Sequence, residues 1–183
     1  SMTVAVGSMS DPDNRYGMAH FLEHMLFLGT EKYPEGGSYQ KFVSIHDGFS
    51  NAYTADERTN YHFEIAPDYL DEGLDRFSQF FLAPLFNQEL IEREIKAVNS
   101  EHSKNIPNDF RRIRQVKRKA YVENHPARNF ATGSLETLAE VTREELLAFY
   151  NSHYSSNRMM LAVAGPQDLD TLQKLVVPRF ALV

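Results

Sequence analysis

His20, Glu23 and His24 fall within five consecutive residues, in the order His-x-x-Glu-His. On a helix, two histidines four apart project from one face at neighbouring turns, the separation that two ligands of a single metal ion require. Glu23 stands three positions after His20, where a carboxylate can take a proton from water without itself being a ligand. That division of labour suits zinc hydrolysis, in which the metal lowers the pKa of water to about 7 and a carboxylate accepts the proton as the water attacks a carbonyl. The order is the reverse of the commoner His-Glu-x-x-His helix. With average residue usage, a chance match in a chain of this size is roughly one in a few hundred. The competing reading is a buried amphipathic helix with two hydrogen-bonded histidines.

A catalytic zinc takes three protein ligands and keeps a fourth position open, so another side chain is required. The chain has no cysteine, which removes thiolate ligands, disulfides and cysteine nucleophiles and leaves His, Asp or Glu. A helix expected to start after Asn87 offers Glu94 and Glu101, seven apart and so on one face two turns along. Spacing ranks the two nearly equally. His46, His62, His102, His125 and His153 lack mutual ligand spacing and read as ordinary surface or core histidines. His102 adjoins Glu101 but is expected to point elsewhere on the helix.

The elements that must carry these residues follow from periodicity and punctuation. Residues 3–9 read as a strand that runs into the turn formers Ser10 to Asn14. Residues 17–28 read as a buried helix stopped by Gly29, and residues 38–47 as an amphipathic helix ended by Gly48. Two segments rich in aromatic and β-branched residues, 49–54 and 59–66, flank the polar run 55–58 and predict a β-hairpin. Pro67 opens a helix whose apolar face, Leu70, Leu74, Phe77, Phe80 and Phe81, continues toward Pro84. Helices are further expected from Asn87 to about 104, over 108–122, over 142–153 and near 168–177, with a loop over 124–136 and a strand over 159–164. Strands and helices do not alternate strictly, so the fold class is α+β: a single domain with helices packed on a mixed, partly antiparallel sheet.

Composition sets the outer bounds. The 183 residues suffice for one domain with a real core, and 42% hydrophobic with 24% charged residues is ordinary for a compact, water-soluble chain. A net charge of −6 argues against nucleic acid or an anionic membrane as partner unless a local patch overcomes it. One patch merits weighing: Arg111, Arg112, Arg114, Lys117, Arg118 and Lys119, with Phe110 and Tyr121 nearby. On a helix these charges spread over more than one face, which predicts a solvated surface helix or one facing an acidic partner. No apolar run reaches the length of a membrane span, and the amino terminus lacks the basic stretch and apolar core of a secretory leader. Ser1 and Met2 precede a strand already in progress, so residues 1–183 are expected to be one domain of a longer protein. Cysteine-free chains suit reducing and oxidising compartments alike; cytoplasm and periplasm stay open, with a lean toward the bacterial periplasm.

The chain resembles the insulinase and pitrilysin family of zinc metallopeptidases, the inverzincins. The resemblance runs through Gly7 to Pro12, His20 to Gly29, Ser50 to Thr54, Pro84-Leu85-Phe86, Asn99-Ser100-Glu101-His102, Gly133 to Leu138 and Tyr154 to Asn157. It implies that His20, His24 and Glu101 bind Zn2+, that Glu23 is the general base, and that Glu94 is a supporting acidic residue. It further implies that a strand edge at Asn51, Ala52 and Tyr53 pairs with an extended peptide substrate, where backbone pairing gives affinity with little sequence preference. The plainer reading of that strand puts Phe49 and Tyr53 in the core. Family members are clam-like, so the remaining domains or a partner subunit would complete the chamber, and this domain alone would bind zinc with weak or no activity. The alternative is a non-catalytic homologue acting as scaffold or peptide-presenting subunit, but such relatives usually lose the zinc ligands and here all four residues remain.

Overall fold

The computed structural model describes residues 1–183. In chain order the elements are β1 (Met2–Val4), α1 (Met18–Leu26), α2 (Ser38–Ile45), β2 (Phe49–Thr54), β3 (Thr59–Glu64), α3 (Leu70–Ser78), α4 (Gln88–Asn105), α5 (Asp109–Arg118), α6 (Arg143–His153), β4 (Met159–Leu161) and α7 (Leu169–Phe180). The α+β expectation holds. The four strands form one sheet in the order β2-β3-β1-β4, antiparallel throughout. The hairpin runs from Phe49 opposite Glu64 to Thr54 opposite Thr59, and β2 is an edge strand.

Helix α1 is the centre of the core. Phe21, Leu22, Met25 and Leu26 are wholly buried, each such side chain contributing roughly 1.5–3 kcal/mol relative to exposure. His20 and His24 occupy the one stripe of the helix left partly open. On α4, Ile91, Ile95 and Val98 recur at four and three residues and enter the same core, so Glu94 and Glu101 ride the adjoining stripe toward α1. Asn87 caps this helix, its side-chain oxygen accepting from the Glu89 amide at 3.0 Å. Thr142 and Glu145 form a capping box at the start of α6.

Two expectations change. The strand expected over residues 3–9 stops at Val4, and Ser8–Ser10 is a 3-10 turn. Gly7 passes so close to the hairpin turn that a β-carbon there would sit 2.3 Å from the Ala55 carbonyl oxygen, which takes the chain out of the sheet and under that turn. Phe49 and Tyr53 do not enter the core; both are exposed. With a period of two along β2, Ser50, Ala52 and Thr54 take the inward face and Phe49, Asn51 and Tyr53 the outward one.

Candidate metal centre

The approach to α1 is built from glycines and one carboxylate. Gly17 (φ +93°) and Gly133 (φ +89°) meet backbone to backbone, and a β-carbon on Gly17 would lie 2.3 Å from the Gly133 α-carbon. Only glycine fits either conformation and that separation. Asp11, from the preceding loop, accepts from the amides of Gly17 at 2.7 Å and Ala19 at 2.8 Å, so a carboxylate occupies the amino end of the helix. Burial nevertheless lifts the Asp11 carboxyl to about 7, against the opposing pull of those two amides and of Arg118.

Because Gly133 is held against Gly17, the Thr132 carbonyl reaches the next turn of α1 and accepts from His20 Nδ1 at 2.7 Å. His24 Nδ1 pairs with Glu94 Oε1 at 2.8 Å. With both Nδ1 atoms taken, both Nε2 atoms are turned to a common point. Glu101 Oε2 stands there, 3.5 Å from His20 Nε2 and 3.6 Å from His24 Nε2. The donor atoms of His20, His24 and Glu101 all lie within 4.8 Å of one another.

These separations are long for direct hydrogen bonds. They approach the edge of a tetrahedron, about 3.3 Å when four ligands stand roughly 2.05 Å from a zinc ion. The donor set of two imidazole nitrogens and one carboxylate oxygen is that of known catalytic zinc sites, so the residues present fit the ion. Charge agrees. Burial opposes a charged His24, but Glu101 and Glu94 together outweigh it and raise the imidazole to about 9, the behaviour of a nitrogen in an anionic cage. Glu101 is held below its ordinary value chiefly by His24, with His20 adding to the effect against partial burial.

Glu23 belongs to the same turn but to a different environment. It is buried, and its Oε2 accepts from the Thr54 hydroxyl at the end of β2. Burial raises its carboxyl above the ordinary value, opposed by His20, the Thr54 bond and His24. A carboxylate made more basic in this way and held beside two imidazoles is suited to accept a proton.

The four residues open into a cavity of about 820 Å³. Asn51, Ala52 and Tyr53 of β2 line it, so all three expected peptide contacts share the cavity with the cluster. Glu94 stays behind His24 and does not line it. His102 sits edge-on to Phe130, ring centroids 4.8 Å apart, yet also borders the cavity. The solvated reading of the basic run fails at Arg118, which is 6% exposed. Its guanidinium donates to the carbonyls of Ala127 and Asn129, each at 2.9 Å, and to Asp56 Oδ1 at 2.6 Å. Sequence reasoning missed Thr54, Thr132, Asp56 and Asp11. Only Asp11 carried a signal, as an acidic residue shortly before a helix.

Comparison with known proteins places these features in a wider set. Residues 1–124 match the model described as insulinase (peptidase family M16), and residues 140–183 match that of the peptidase M16 inactive domain. Both stretches contribute to one sheet, since β4 pairs with β1. The chain is 51% identical to insulin-degrading enzyme-like 1, peroxisomal, of Arabidopsis thaliana over 187 residues, covering 98% of this chain and 19% of that protein. It is 46% identical to the insulin-degrading enzyme of Homo sapiens over 190 residues, covering all of this chain and 19% of the relative. The crystal structure of pitrilysin superimposes with a TM-score of 0.96 at 34% identity, over the whole of this chain and 20% of that one. The chain therefore spans about a fifth of the length of these relatives.

Proposed function

The chain belongs to the insulinase family of peptidases, peptidase family M16, and on that premise we propose that it carries the zinc-binding half of a metalloendopeptidase active site. The observation that carries the proposal is the convergence of His20 Nε2, His24 Nε2 and Glu101 Oε2 while both Nδ1 atoms are engaged elsewhere. A zinc ion held by these atoms would supply Lewis acidity, polarising a peptide carbonyl and making water more acidic.

The chain's own residues supply the rest. Thr54 fixes Glu23 Oε2, leaving Oε1 to take the proton of the attacking water and to return it to the amide nitrogen that leaves. Glu94 orients the His24 ring from behind and keeps its Nε2 turned forward. The free edge of β2, at Asn51, Ala52 and Tyr53, accepts an extended peptide by strand addition, so substrates are peptides or small unfolded proteins.

Residues 1–183 act in this reading as one zinc-binding domain of a longer multi-domain enzyme, with the remaining polypeptide or a partner subunit closing the chamber. Electrostatic stabilisation from outside this domain is worth several kcal/mol in other hydrolases, so the domain alone binds zinc but hydrolyses peptides weakly. The test is peptide hydrolysis by the complete, zinc-loaded polypeptide and its Glu23→Gln variant. Loss of about 10²–10⁴ in rate at unchanged zinc content supports the proton-transfer role. Full activity in the variant removes Glu23 from the chemistry.

A further inference from the structure

Helix α5 is amphipathic in the sense opposite to that which packing rewards. Arg111, Arg114, Gln115 and Arg118 share one helical face, and that face lines the cavity containing His20, His24 and Glu101. On the other side Phe110, Ile113 and Val116 are 76%, 55% and 72% exposed. Turning the apolar stripe inward would bury three large side chains at roughly 25 cal/mol per Å². The chain instead presents guanidinium groups to the cavity.

These charges are not balanced locally. Arg114 and Arg118 share the single carboxylate of Asp56, at 3.1 and 2.6 Å. Arg112 pairs with Asp109 at 3.1 Å. Arg111 has no acidic partner within ion-pair distance, and the carboxylate acting on it across the cavity is that of Glu101. Arg118, buried and bonded to two carbonyls, anchors the helix, whereas Arg111 and Arg114 keep donors free. An excess of positive charge thus lines one wall of a cavity in a chain whose net charge is −6.

We propose that the arginine face of α5 is a specificity subsite that selects peptides carrying an acidic side chain close to the bond to be cleaved. The inference rests on the peptidase reading and names its substrate class. A peptide laid along β2 presents alternate side chains to opposite sides, and α5 lines the same cavity as Asn51, Ala52 and Tyr53. The planar guanidinium fork matches a carboxylate in two parallel hydrogen bonds. Glu101 and Glu136 also border the cavity, so a polyanion such as nucleic acid would meet more repulsion there than a peptide carrying one carboxylate.

The test uses the complete, zinc-loaded polypeptide and pairs of quenched fluorescent peptides that differ only by Glu or Gln, scanned across the residues flanking the cleaved bond. At one or more positions the Glu peptide is expected to have about fivefold higher kcat/KM, an advantage that shrinks in high salt. Arg111→Gln with Arg114→Gln brings the ratio near one, Arg111→Glu reverses it in favour of a Lys peptide, and Arg111→Lys keeps part of it. Zinc content and thermal unfolding of each variant report that fold and metal site persist. Anisotropy binding of the same peptides to the Glu23→Gln variant reads the preference independently of turnover. Cleavage or binding without charge preference at any position, or a preference untouched in the double variant, overturns the inference alone. Failure to cleave or bind either peptide, with zinc present, overturns the peptidase reading and this inference with it.

Discussion

His20 Nδ1 donates to the carbonyl oxygen of Thr132 at 2.7 Å, and this bond decides which nitrogen of the ring faces Glu101. A backbone carbonyl accepts and never donates, so the proton is held on Nδ1 and the Nε2 lone pair is left for a metal. The position of Thr132 depends in turn on the contact between Gly17 and Gly133. The orientation of this proposed ligand is thereby tied to a glycine pair that touches no chemistry.

Gly17→Ala tests that link. The new β-carbon would meet the Gly133 α-carbon at 2.3 Å with φ at +93°, and the left-handed conformation alone costs of order 1–3 kcal/mol for a non-glycine residue. The expected result is a loss of about 2 kcal/mol or more in chemical denaturation, together with weaker zinc retention as the Thr132 carbonyl is pushed away. A variant that loses stability yet holds zinc as tightly as the parent would break the connection between this contact and the site.

Glu94→Gln keeps a hydrogen-bond acceptor near His24 Nδ1 but removes the charge that pairs with it at 2.8 Å. Groups of this kind behind a metal ligand typically govern 10–100-fold in metal affinity. Competition against a chelator of known affinity should show a fall of about that size, and the metal-free protein should also melt lower near neutral pH, because protonated His24 loses the carboxylate that pairs with it.

Zinc uptake should release a proton. In the metal-free protein His24 titrates near 9 against an ordinary value of 6.5, because Glu101 and Glu94 together outweigh the burial that opposes its charge. A raised folded-state pKa means that the protonated ring stabilises the metal-free fold fully below pH 6.5 and that this contribution fades as pH rises through about 9. Metal needs the unprotonated ring, so apparent zinc affinity should climb by about tenfold per pH unit toward 9. Calorimetric titrations at neutral pH in buffers of different ionisation enthalpy would detect the released proton.

Arg118→Met leaves the carbonyls of Ala127 and Asn129 without their charged donor and deprives Asp56 of its 2.6 Å partner. Hydrogen bonds to charged groups are worth about 1.5–3 kcal/mol each, so a destabilisation of at least ~2 kcal/mol is expected in urea unfolding. Combining it with Asp56→Asn should cost less than the sum of the two single changes, as a shared ion pair requires.

Much of this arrangement is legible in the chain, for reasons that can be named. Helices α1 and α4 show strong periods, and the His20–His24 and Glu94–Glu101 spacings place each pair on one face regardless of tertiary detail. The hairpin is marked by two β-rich segments around a polar turn. Less legible is whatever a second, distant segment decides. Nothing in residues 3–9 announces that the hairpin turn will cross Gly7 and end β1 at Val4. Phe49 and Tyr53 look like core residues, yet Ser50, Ala52 and Thr54 take the inward face of β2, where the Thr54 hydroxyl meets Glu23. Thr132 acts through its carbonyl, which every residue possesses, and burial of Arg118 depends on Asp56 and on two carbonyls from another loop.

Metal analysis of protein purified without added zinc bears most directly on the account, with the parent and Glu101→Gln prepared side by side. We expect close to one zinc per chain in the parent and a marked loss in the variant, because an amide is a weaker donor than the carboxylate that α4 contributes to the proposed centre. Equal zinc in both proteins, or none in a folded parent supplied with zinc, would contradict a centre formed by His20, His24 and Glu101.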